Sequence, residues 1–432
     1  MGNNIVQGTA GKIEINARRL MERLETLAQF GQNNHGGMDR PLGSIADEAS
    51  RQWLQSCWQN ELGLEVTLDA MANMWGSQKD IDIEAFKHKK PIVMGSHSDT
   101  VPDGGKYDGA LGVLMATEVV QTLLENKAAL QHPLQLINFT GEEPNDYGVS
   151  TLGSKVLCGR WGQKEIDSFS HSVTGEPLTK ALARLGGAPE NVESARLPEG
   201  FAAAFLECHI EQGRHLYDSH QAVAAVSAIT GIYRETIVVK GEANHAGTTL
   251  YKHRRDALAA AAEVILAVED LLKKPQLEGV AVTVGHVEVS PNASNIIPGE
   301  VRLSLDLRTA DPQKRQEALL ILGSSIAYIA KRRGVEIKRN LQLNQSEIPM
   351  DAEVIAAMCE AAAGRSNPAR QLVSMAGHDA ANMARLVPAG MLFVQSTGGY
   401  SHCPKEHTRK EEITIAAQVL LDTVLLLDRR LS

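Results

Sequence analysis

A glycine-rich segment near residue 100 carries side chains that can bind a metal ion. His97, Asp99 and Asp108 lie within residues 95–109, directly after the apolar run 91–94. An apolar run without helical period predicts a strand buried on both faces of a parallel sheet, and ligands gather beyond the carboxyl ends of such strands. Asp99 is two residues from His97 on an extended chain, so it can accept a hydrogen bond from the second ring nitrogen of His97. The alternative is a simple turn whose aspartates cap the following helix.

Three further strand-like runs end in residues of the same chemistry. Each run is short and apolar, as expected of neighbouring strands in one sheet. Because the carboxyl ends of parallel strands meet at one edge, we expect the polar side chains after them to lie together. Paired glutamates at such an edge suit one ligand and one base. The runs cover residues 134–139, 203–208 and 391–394, and the polar residues after them are Glu142 and Glu143, His209, and His402.

The motifs of the chain, taken together, resemble those of a known family. They are similar to the hydantoinase/carbamoylase branch of the M20 di-metal amidohydrolases, which includes N-carbamoyl-L-amino acid hydrolases, allantoate amidohydrolases and β-ureidopropionases. The motifs stand in the family order and span nearly the whole chain, so the resemblance is far more specific than any single motif. They are HSDTVPDGGKYDG (97–109), GEE (141–143), HIEQG (209–213), NHAGTT (244–249), RRDAL (254–258), PNASNIIPGEV (291–301), DLR (306–308), AGHDA (376–380) and SHCPKEHT (401–408).

The resemblance implies a hydrolase with two divalent metal ions. Glu142 would be the general base. Two such ions about 3.5–4 Å apart can share a water and bring its pKa towards about 7, while a carboxylate beside them collects the proton. The donor set suits zinc, manganese, cobalt or nickel. Neighbouring residues on an extended chain point in opposite directions, so a turn at Gly141 has to bring both glutamates to the site. The implied ligands are His97 and His209 for one ion, Glu143 and His402 for the other, and Asp108 for both.

The resemblance also implies that the middle of the chain contacts the substrate. His245 would stabilise the oxyanion, and Arg308 would bind the substrate carboxylate with its planar guanidinium fork, assisted by Asn295. Without the resemblance, a histidine in a surface turn is the alternative interpretation of His245. Arg308 then fits an exposed ion pair with Asp306, and such a pair contributes little to the stability of the fold.

Two residues outside that segment are further candidates for substrate contact. Gln212, shortly after His209, could hydrogen-bond a carbamoyl or amide group. His378 lies in a loop before a predicted helix and could also touch the substrate. The adjacent Asp379 fits a helix N-cap as well as a functional group.

The pattern of elements predicts an α/β fold with an inserted α+β domain. We expect a di-metal aminopeptidase-like catalytic domain with a mixed sheet in residues 1–228 and 344–432, and the insert in residues 229–343. The insert should have two helices against an antiparallel four-stranded sheet. The predicted strands are 235–240, 280–289, 301–308 and 335–338, and the helices are 253–272 and 312–333. In the family that the chain resembles, this domain is a lid that also forms a homodimer.

Composition fits a soluble enzyme with a small-molecule substrate. The net charge of −9 argues against nucleic acid or an anionic membrane as a partner, and no apolar stretch approaches the length of a membrane span. Five scattered cysteines, an odd number, argue against a disulfide framework and fit a reducing cytoplasm. The start of the chain lacks the basic and apolar regions of a secretion signal.

The activity that the resemblance implies is hydrolysis of the linear C–N bond of an N-carbamoyl-L-amino acid, which gives the amino acid, carbon dioxide and ammonia. The substrate would carry a free carboxylate. Allantoate amidohydrolase is the nearest alternative, followed by β-ureidopropionase and N-acyl amino acid deacylase. A metal- or peptide-binding protein without catalysis would lack the base, whereas Glu142 is present. Residues 250–251 and 144–147 depart from the family pattern, which leaves the choice among these substrates open.

Overall fold

The computed structural model describes residues 13–79 and 89–431. The amino-terminal residues in which a secretion signal was sought lie outside the described part. The chain divides into two units, each with its own sheet. The first unit comprises Met1–Ser227, Met350–Leu372 and Gly377–Ser432, and the second comprises Ala228–Pro349 and Val373–Ala376.

A mixed sheet forms the centre of the first unit. Its strands are β1 (Leu64–Leu68), β2 (Met74–Gln78), β3 (Ile92–His97), β4 (Leu134–Phe139), β5 (Ala204–Ile210) and β6 (Val223–Ile229), together with β16 (Ala389–Val394) near the end of the chain. The spatial order is β1-β2-β4-β3-β5-β16-β6. Strands β4, β3, β5 and β16 are parallel, and the outer strands β1, β2 and β6 are antiparallel to their neighbours. The α/β fold with a mixed sheet is therefore confirmed.

The four parallel strands are those predicted to end in polar residues. Strands β3, β5 and β16 are buried along their whole length, as both-face burial in a parallel sheet requires. In the register of the sheet His97 lies opposite Phe139, so β3 and β4 end at the same level. This alignment brings the loops after the strands to one edge.

Helices cover the sheet of the first unit. In α3 (Ala110–Glu125), every residue from Ala110 to Leu123 is buried. A helix with no exposed face has to be enclosed by protein on all sides. Helix α3 contacts strands β3, β4 and β5 as well as the helices α1 (Ala17–Leu27) and α12 (Lys410–Arg430). The helices are α1 (Ala17–Leu27), α2 (Ile45–Ser56), α3 (Ala110–Glu125), α4 (Leu152–Leu157), α5 (Gln163–Ser168), α6 (Leu178–Arg184), α7 (His215–Asp218), α10 (Ala352–Gly364), α11 (Ala380–Met383) and α12 (Lys410–Arg430).

The second unit is an antiparallel sheet with two long helices. Its apolar core is formed by one face of the sheet and the inward faces of both helices. The spatial order of the strands is β10-β12-β7-β13, with β9 also paired to β12, and β8 pairs separately with β11. The elements are β7 (Gly231–Lys240), β8 (Asn244–His245), α8 (Ala257–Leu272), β9 (Ala281–Thr283), β10 (Val287–Ser290), β11 (Ile296–Ile297), β12 (Glu300–Thr309), α9 (Pro312–Arg333) and β13 (Glu336–Gln345). Two short strands, β14 (Ile348–Pro349) and β15 (Arg370–Ser374), pair with β6.

The sheet of the second unit has five strands, so the prediction of four was wrong. The predicted strand 280–289 is divided into β9 and β10. Thr283 lies opposite Asp306, whereas Val287 lies opposite Leu303, so three residues of one strand face two of the other. That extra residue is a β-bulge, which interrupts the ladder and bends the strand.

Candidate metal centre

Two strand ends and the loop before α3 bring together one group of atoms that could bind a metal ion in the first unit. His97 is the last residue of β3, His209 lies in β5, and Asp108 lies in the loop before α3. His209 Nε2 is 3.0 Å from Asp108 Oδ1, and His97 Nε2 is 4.0 Å from the same oxygen. All three side chains are buried. Two imidazoles and a carboxylate around one point form a donor set that divalent transition metals prefer.

A second group shares Asp108 and lies beside the first. His402 Nε2 is 3.2 Å from Asp108 Oδ2 and 3.4 Å from Glu143 Oε1. The first group approaches Oδ1 of Asp108 and the second approaches Oδ2. A carboxylate that presents a different oxygen to each group has the arrangement needed to bridge two cations.

Glu142 and Glu143 reach this centre through a sharp turn after β4. Gly141 adopts φ +63°, a left-handed conformation that residues with a β-carbon rarely adopt. The turn predicted at this glycine is therefore present. Glu142 Oε2 lies 3.7 Å from His97 Nε2, beside the first group rather than within it.

The structure gives Asp99 a different contact from the one predicted. His97 Nδ1 lies 3.1 Å from the main-chain oxygen of Asp99 and 3.6 Å from its carboxylate, so the carbonyl is the acceptor. The carboxylate instead accepts hydrogen bonds from the main-chain N–H groups of Glu142 and Glu143, at 3.2 and 3.1 Å. The sharp turn at Gly141 aims these two N–H groups at Asp99. Asp99 thus supports both the histidine and the paired glutamates.

The electrostatics of the centre fit a bound cation. Burial, followed by repulsion from Asp108, raises the pKa of Glu143 to about 7. Burial also raises the pKa of Glu142 well above its usual range, and attraction to His97 only partly offsets this. Burial disfavours the charged form of Asp108 too, but His209 and His402 outweigh it and hold its pKa well below the usual range. Crowded carboxylates of this kind are stabilised by a divalent ion.

Two buried atoms of the centre point to the same conclusion. His97 Nε2 and Glu143 Oε1 have no hydrogen-bond partner among the described residues. A buried polar atom without a partner costs about 1–3 kcal/mol, which makes such atoms rare unless an ion or a water satisfies them. Each atom belongs to one of the two groups, so the residues present fit a metal ion at both positions.

The remaining candidates of the first unit lie against these ligands. The Gln212 amide donates to Asp108 Oδ2 at 2.9 Å and to Ser401 Oγ at 3.1 Å. The His378 ring is buried, and its centroid lies 4.5 Å from that of the His209 ring and 6.0 Å from that of the Phe393 ring. Substrate contact by Gln212 and His378 stays a prediction, and in this structure both residues contact candidate metal ligands.

Sequence reasoning missed residues that surround the centre. Ser401 Oγ lies 2.9 Å from Asp108 Oδ2, and Glu406 binds the main chain at Asp108. Behind the centre, Glu207 accepts a hydrogen bond from Ser96 Oγ at 2.7 Å and another from the Ala380 N–H. Their only signal in the sequence is proximity to ligands, since Ser401 precedes His402 and Glu207 lies two residues before His209.

His245 and Asn295 lie in the second unit. His245 pairs with Ile296 in the short β8–β11 ladder, and the Asn295 carbonyl accepts from the Ala246 N–H at 2.9 Å. His245 is exposed, and its Nδ1 accepts hydrogen bonds from the N–H groups of Gly247 and Thr248 at 3.1 Å each. Because Nδ1 accepts, neutral His245 carries its proton on Nε2. The exposed side chain therefore offers its Nε2–H as a hydrogen-bond donor.

Arg308 lies near the end of β12 in the same unit. Its Nε donates to Asp306 Oδ1 at 2.8 Å, Nη2 is 3.4 Å from Oδ2, and Nη1 donates to the Met375 carbonyl at 2.9 Å. The ion pair with Asp306 is thus present. A guanidinium has five N–H groups and these contacts use three of them. With respect to the described residues, one N–H on each terminal nitrogen remains for a planar acceptor such as a carboxylate.

Comparison with known proteins places this geometry in a family. The family model described as peptidase family M20/M25/M40 matches residues 93–426, which include all the candidate ligands. The chain belongs to this family. Among solved structures, a hydantoinase/carbamoylase family amidase from Burkholderia multivorans matches this M20 protein with a TM-score of 0.87 and 31% identity, covering 96% of this chain and 98% of that one.

Curated relatives of the M20 protein are hydrolases that differ from one another in the substrate their names give. An N-carbamoyl-L-amino acid amidohydrolase from Geobacillus stearothermophilus is 33% identical, over 95% of this chain and 98% of its own. A ureidoglycolate hydrolase from Arabidopsis thaliana is 32% identical, over 95% and 86%. An allantoate amidohydrolase from Bacillus subtilis is 32% identical, over 93% and 96%. The M20 protein is therefore a hydrolase, as predicted. None of its described helices has the length and apolar character needed to cross a membrane.

Proposed function

We propose that this M20 protein hydrolyses the carbamoyl C–N bond of N-carbamoyl-L-amino acids with two divalent metal ions. The observation that carries the proposal is the pair of three-residue groups that share Asp108, with the carboxylate of Glu142 beside them and outside both. The substrate class is supported by the Geobacillus relative, which matches over nearly its whole length. It is supported further by the unused N–H pair of Arg308, which suits a carboxylate substrate.

The side chains of the centre supply distinct parts of the reaction. Asp108 would bridge the ions, His97 and His209 would bind one, and Glu143 and His402 would bind the other. Bound there, the ions would lower the pKa of a shared water and polarise the carbamoyl carbonyl. Glu142 would take a proton from the attacking water and deliver it to the leaving amine nitrogen as the C–N bond breaks. The carbamate so formed decomposes to carbon dioxide and ammonia.

The polar groups of the second unit would act on the substrate. His245 would donate its Nε2–H to the oxygen that gains negative charge in the transition state. Arg308 would bind the α-carboxylate through its two remaining N–H groups, assisted by Asn295. Gln212 and His378 would contact the substrate beside the candidate metal ligands. The metal is proposed to be zinc, manganese, cobalt or nickel, since imidazole and carboxylate ligands suit all four.

A panel of substrates tests the proposed activity. Purified protein reconstituted with each metal is assayed on N-carbamoyl-L-amino acids, allantoate, ureidoglycolate, N-carbamoyl-β-alanine and N-acetyl amino acids. We expect the highest kcat/KM with an N-carbamoyl-L-amino acid. A higher kcat/KM with allantoate would replace this proposal by the activity of the Bacillus relative, and a higher value with ureidoglycolate by that of the Arabidopsis relative.

Arg308→Lys is predicted to weaken hydrolysis of carboxylate substrates selectively. Lysine keeps the charge but loses the two-pronged donor, and such a charge-assisted contact contributes about 1.5–3 kcal/mol, or roughly ten- to a hundredfold in kcat/KM. The measurement compares N-carbamoyl amino acids with their neutral amides. Arg234→Lys is the matched control, because Arg234 also pairs with Asp306, at 2.7 Å, on the neighbouring strand. Equal losses on acid and amide substrates would show that Arg308 only holds this strand pair together.

We also propose a homodimer formed through the second unit, and a cytoplasmic location. Large apolar side chains are more than half exposed on that unit, including Leu266, Leu320, Tyr328 and Leu341. Strand β13, which carries Leu341, lies at the edge of its sheet, where another strand can pair. All five cysteines are free, which fits a reducing compartment. Size-exclusion chromatography with light scattering measures the oligomeric state. A monomer at the concentration used in the activity assays would contradict the dimer.

A further inference from the structure

Glu406 is a buried carboxylate beside the metal centre that none of the steps above uses. It is only 6% exposed and belongs to neither ligand group. Its Oε1 accepts hydrogen bonds from the main-chain N–H groups of both Tyr107 and Asp108, at 2.8 and 3.0 Å. These partners are almost 300 residues away in sequence, so the contact joins the two loops that carry Asp108 and His402.

The loop before Asp108 is shaped to receive this carboxylate. A β-carbon at Gly105 would lie 1.9 Å from the carboxyl carbon of Glu406, closer than real atoms approach. The absence of a side chain at Gly105 therefore lets the carboxylate reach the N–H groups. Two loop N–H groups that donate to one oxygen, with a glycine beside them, form a site that holds one carboxylate.

Ser401 connects Glu406 to the bridging carboxylate itself. The Ser401 hydroxyl lies 3.3 Å from Glu406 Oε2 and 2.9 Å from Asp108 Oδ2, the oxygen that faces His402. The hydroxyl has one hydrogen and donates to one of these oxygens at a time. Glu406 therefore contacts Asp108 in two ways. It accepts the main-chain N–H of Asp108 directly, and it reaches the Asp108 side chain indirectly, through the Ser401 hydroxyl.

We propose that Glu406 is a positioning residue that fixes Asp108 in the orientation in which its two oxygens can bind two metal ions. The inference rests on the metal centre of the proposed function. Partners outside the ligand set orient metal ligands, and their loss typically costs about 10–100-fold in metal affinity or activity. Because Asp108 serves both groups, an error in its orientation would weaken both sites together.

The test is the metal affinity of Glu406→Ala and Glu406→Gln, measured by competition with a chromophoric chelator using Zn²⁺ and Mn²⁺. We expect Glu406→Ala to lower the affinity by about 10–100-fold. In Glu406→Gln the amide oxygen can still accept both N–H groups, and its NH₂ can donate to Ser401. The affinity of Glu406→Gln should therefore stay close to that of the wild type.

Asp428→Ala is the matched control for a purely structural effect. Asp428 is also a buried carboxylate that clamps a loop, accepting the N–H groups of Gln131 and His132 at 2.8 Å each. These two residues are not part of the metal centre. We expect Asp428→Ala to lower the melting temperature of the metal-free protein at least as much as Glu406→Ala does, with metal affinity unchanged.

The outcomes separate this inference from the proposed function. A wild type that binds neither metal would overturn the proposed function itself. If the wild type binds metal and Glu406→Ala binds it equally well, only the role of Glu406 is refuted. An equal loss of metal affinity in Asp428→Ala would assign the effect to general destabilisation. An equal loss of metal affinity in Glu406→Gln would assign it to the charge of Glu406. Either result would contradict positioning through the two N–H groups.

Discussion

Glu142→Gln is expected to keep its metal content and to lose at least about 10²–10⁴-fold in kcat, because it removes a general base and no ligand. Glu142 lies outside both ligand groups, yet its Oε2 is 3.7 Å from His97 Nε2. Glutamine has nearly the same shape but cannot accept a proton at neutral pH. The measurement pairs metal analysis of the purified variant with steady-state kinetics.

The neighbouring residue provides the contrast for this prediction. Glu143 belongs to the group formed with Asp108 and His402, so Glu143→Gln should lower metal content as well as turnover. Both variants exchange the same atoms in adjacent, buried positions. Near-normal kcat in a fully loaded Glu142→Gln protein would refute its role as base, and the same metal loss in both variants would make Glu142 a ligand.

Much of the fold could be predicted from the sequence because hydrophobic runs and capping signals are local. The parallel strands β3, β4, β5 and β16 were recognisable as short apolar runs. Helix α9 could be bounded at both ends, since Asp311 caps its start, Pro312 occupies the first turn, and Gly334 adopts φ +65° after its last residue. These signals act within a few residues of the chain.

Two predicted element borders were wrong, one at a helix N-cap and one that depends on a distant contact. Helix α8 was expected from 253 but begins at Ala257, because the Asp256 side chain accepts the N–H groups of Leu258 and Ala259 as its N-cap. Strand β13 was expected to end at 338 and continues to Gln345. Its extension depends on pairing with β7, a contact between distant parts of the chain.

The candidate ligands could be found from sequence, whereas the residues that hold them could not. The candidates come after parallel strands whose ends meet at one edge, and the family resemblance implies that they are ligands. The carboxylate of Asp99 was assigned to His97 from its spacing, but the turn at Gly141 presents two N–H groups to it instead. Glu406 contacts a loop nearly 300 residues away, and no pattern within its own segment indicates that contact.

Asp108→Asn is predicted to have the largest effect on metal content, because both ligand groups include Asp108. An amide has one neutral oxygen in place of two charged ones, so it cannot serve a cation on each side. The loss of metal affinity should exceed the about 10–100-fold typical of a residue that only supports a ligand. Metal analysis after gel filtration should find close to none, with activity below detection. Exhaustive chelation of the wild type should have the same effect.

A second aspartate of the same loop makes this experiment specific. Asp103 is exposed, adopts a left-handed φ of +53° that asparagine tolerates, and is absent from both ligand groups. Asp103→Asn makes the same chemical change five residues away and should keep both metal and activity. Because the N–H of Asp108 still reaches Glu406 in Asp108→Asn, the loop should remain folded and the loss can be assigned to the bridging oxygens. Full turnover by wild-type protein shown to be free of metal would contradict the metal mechanism altogether.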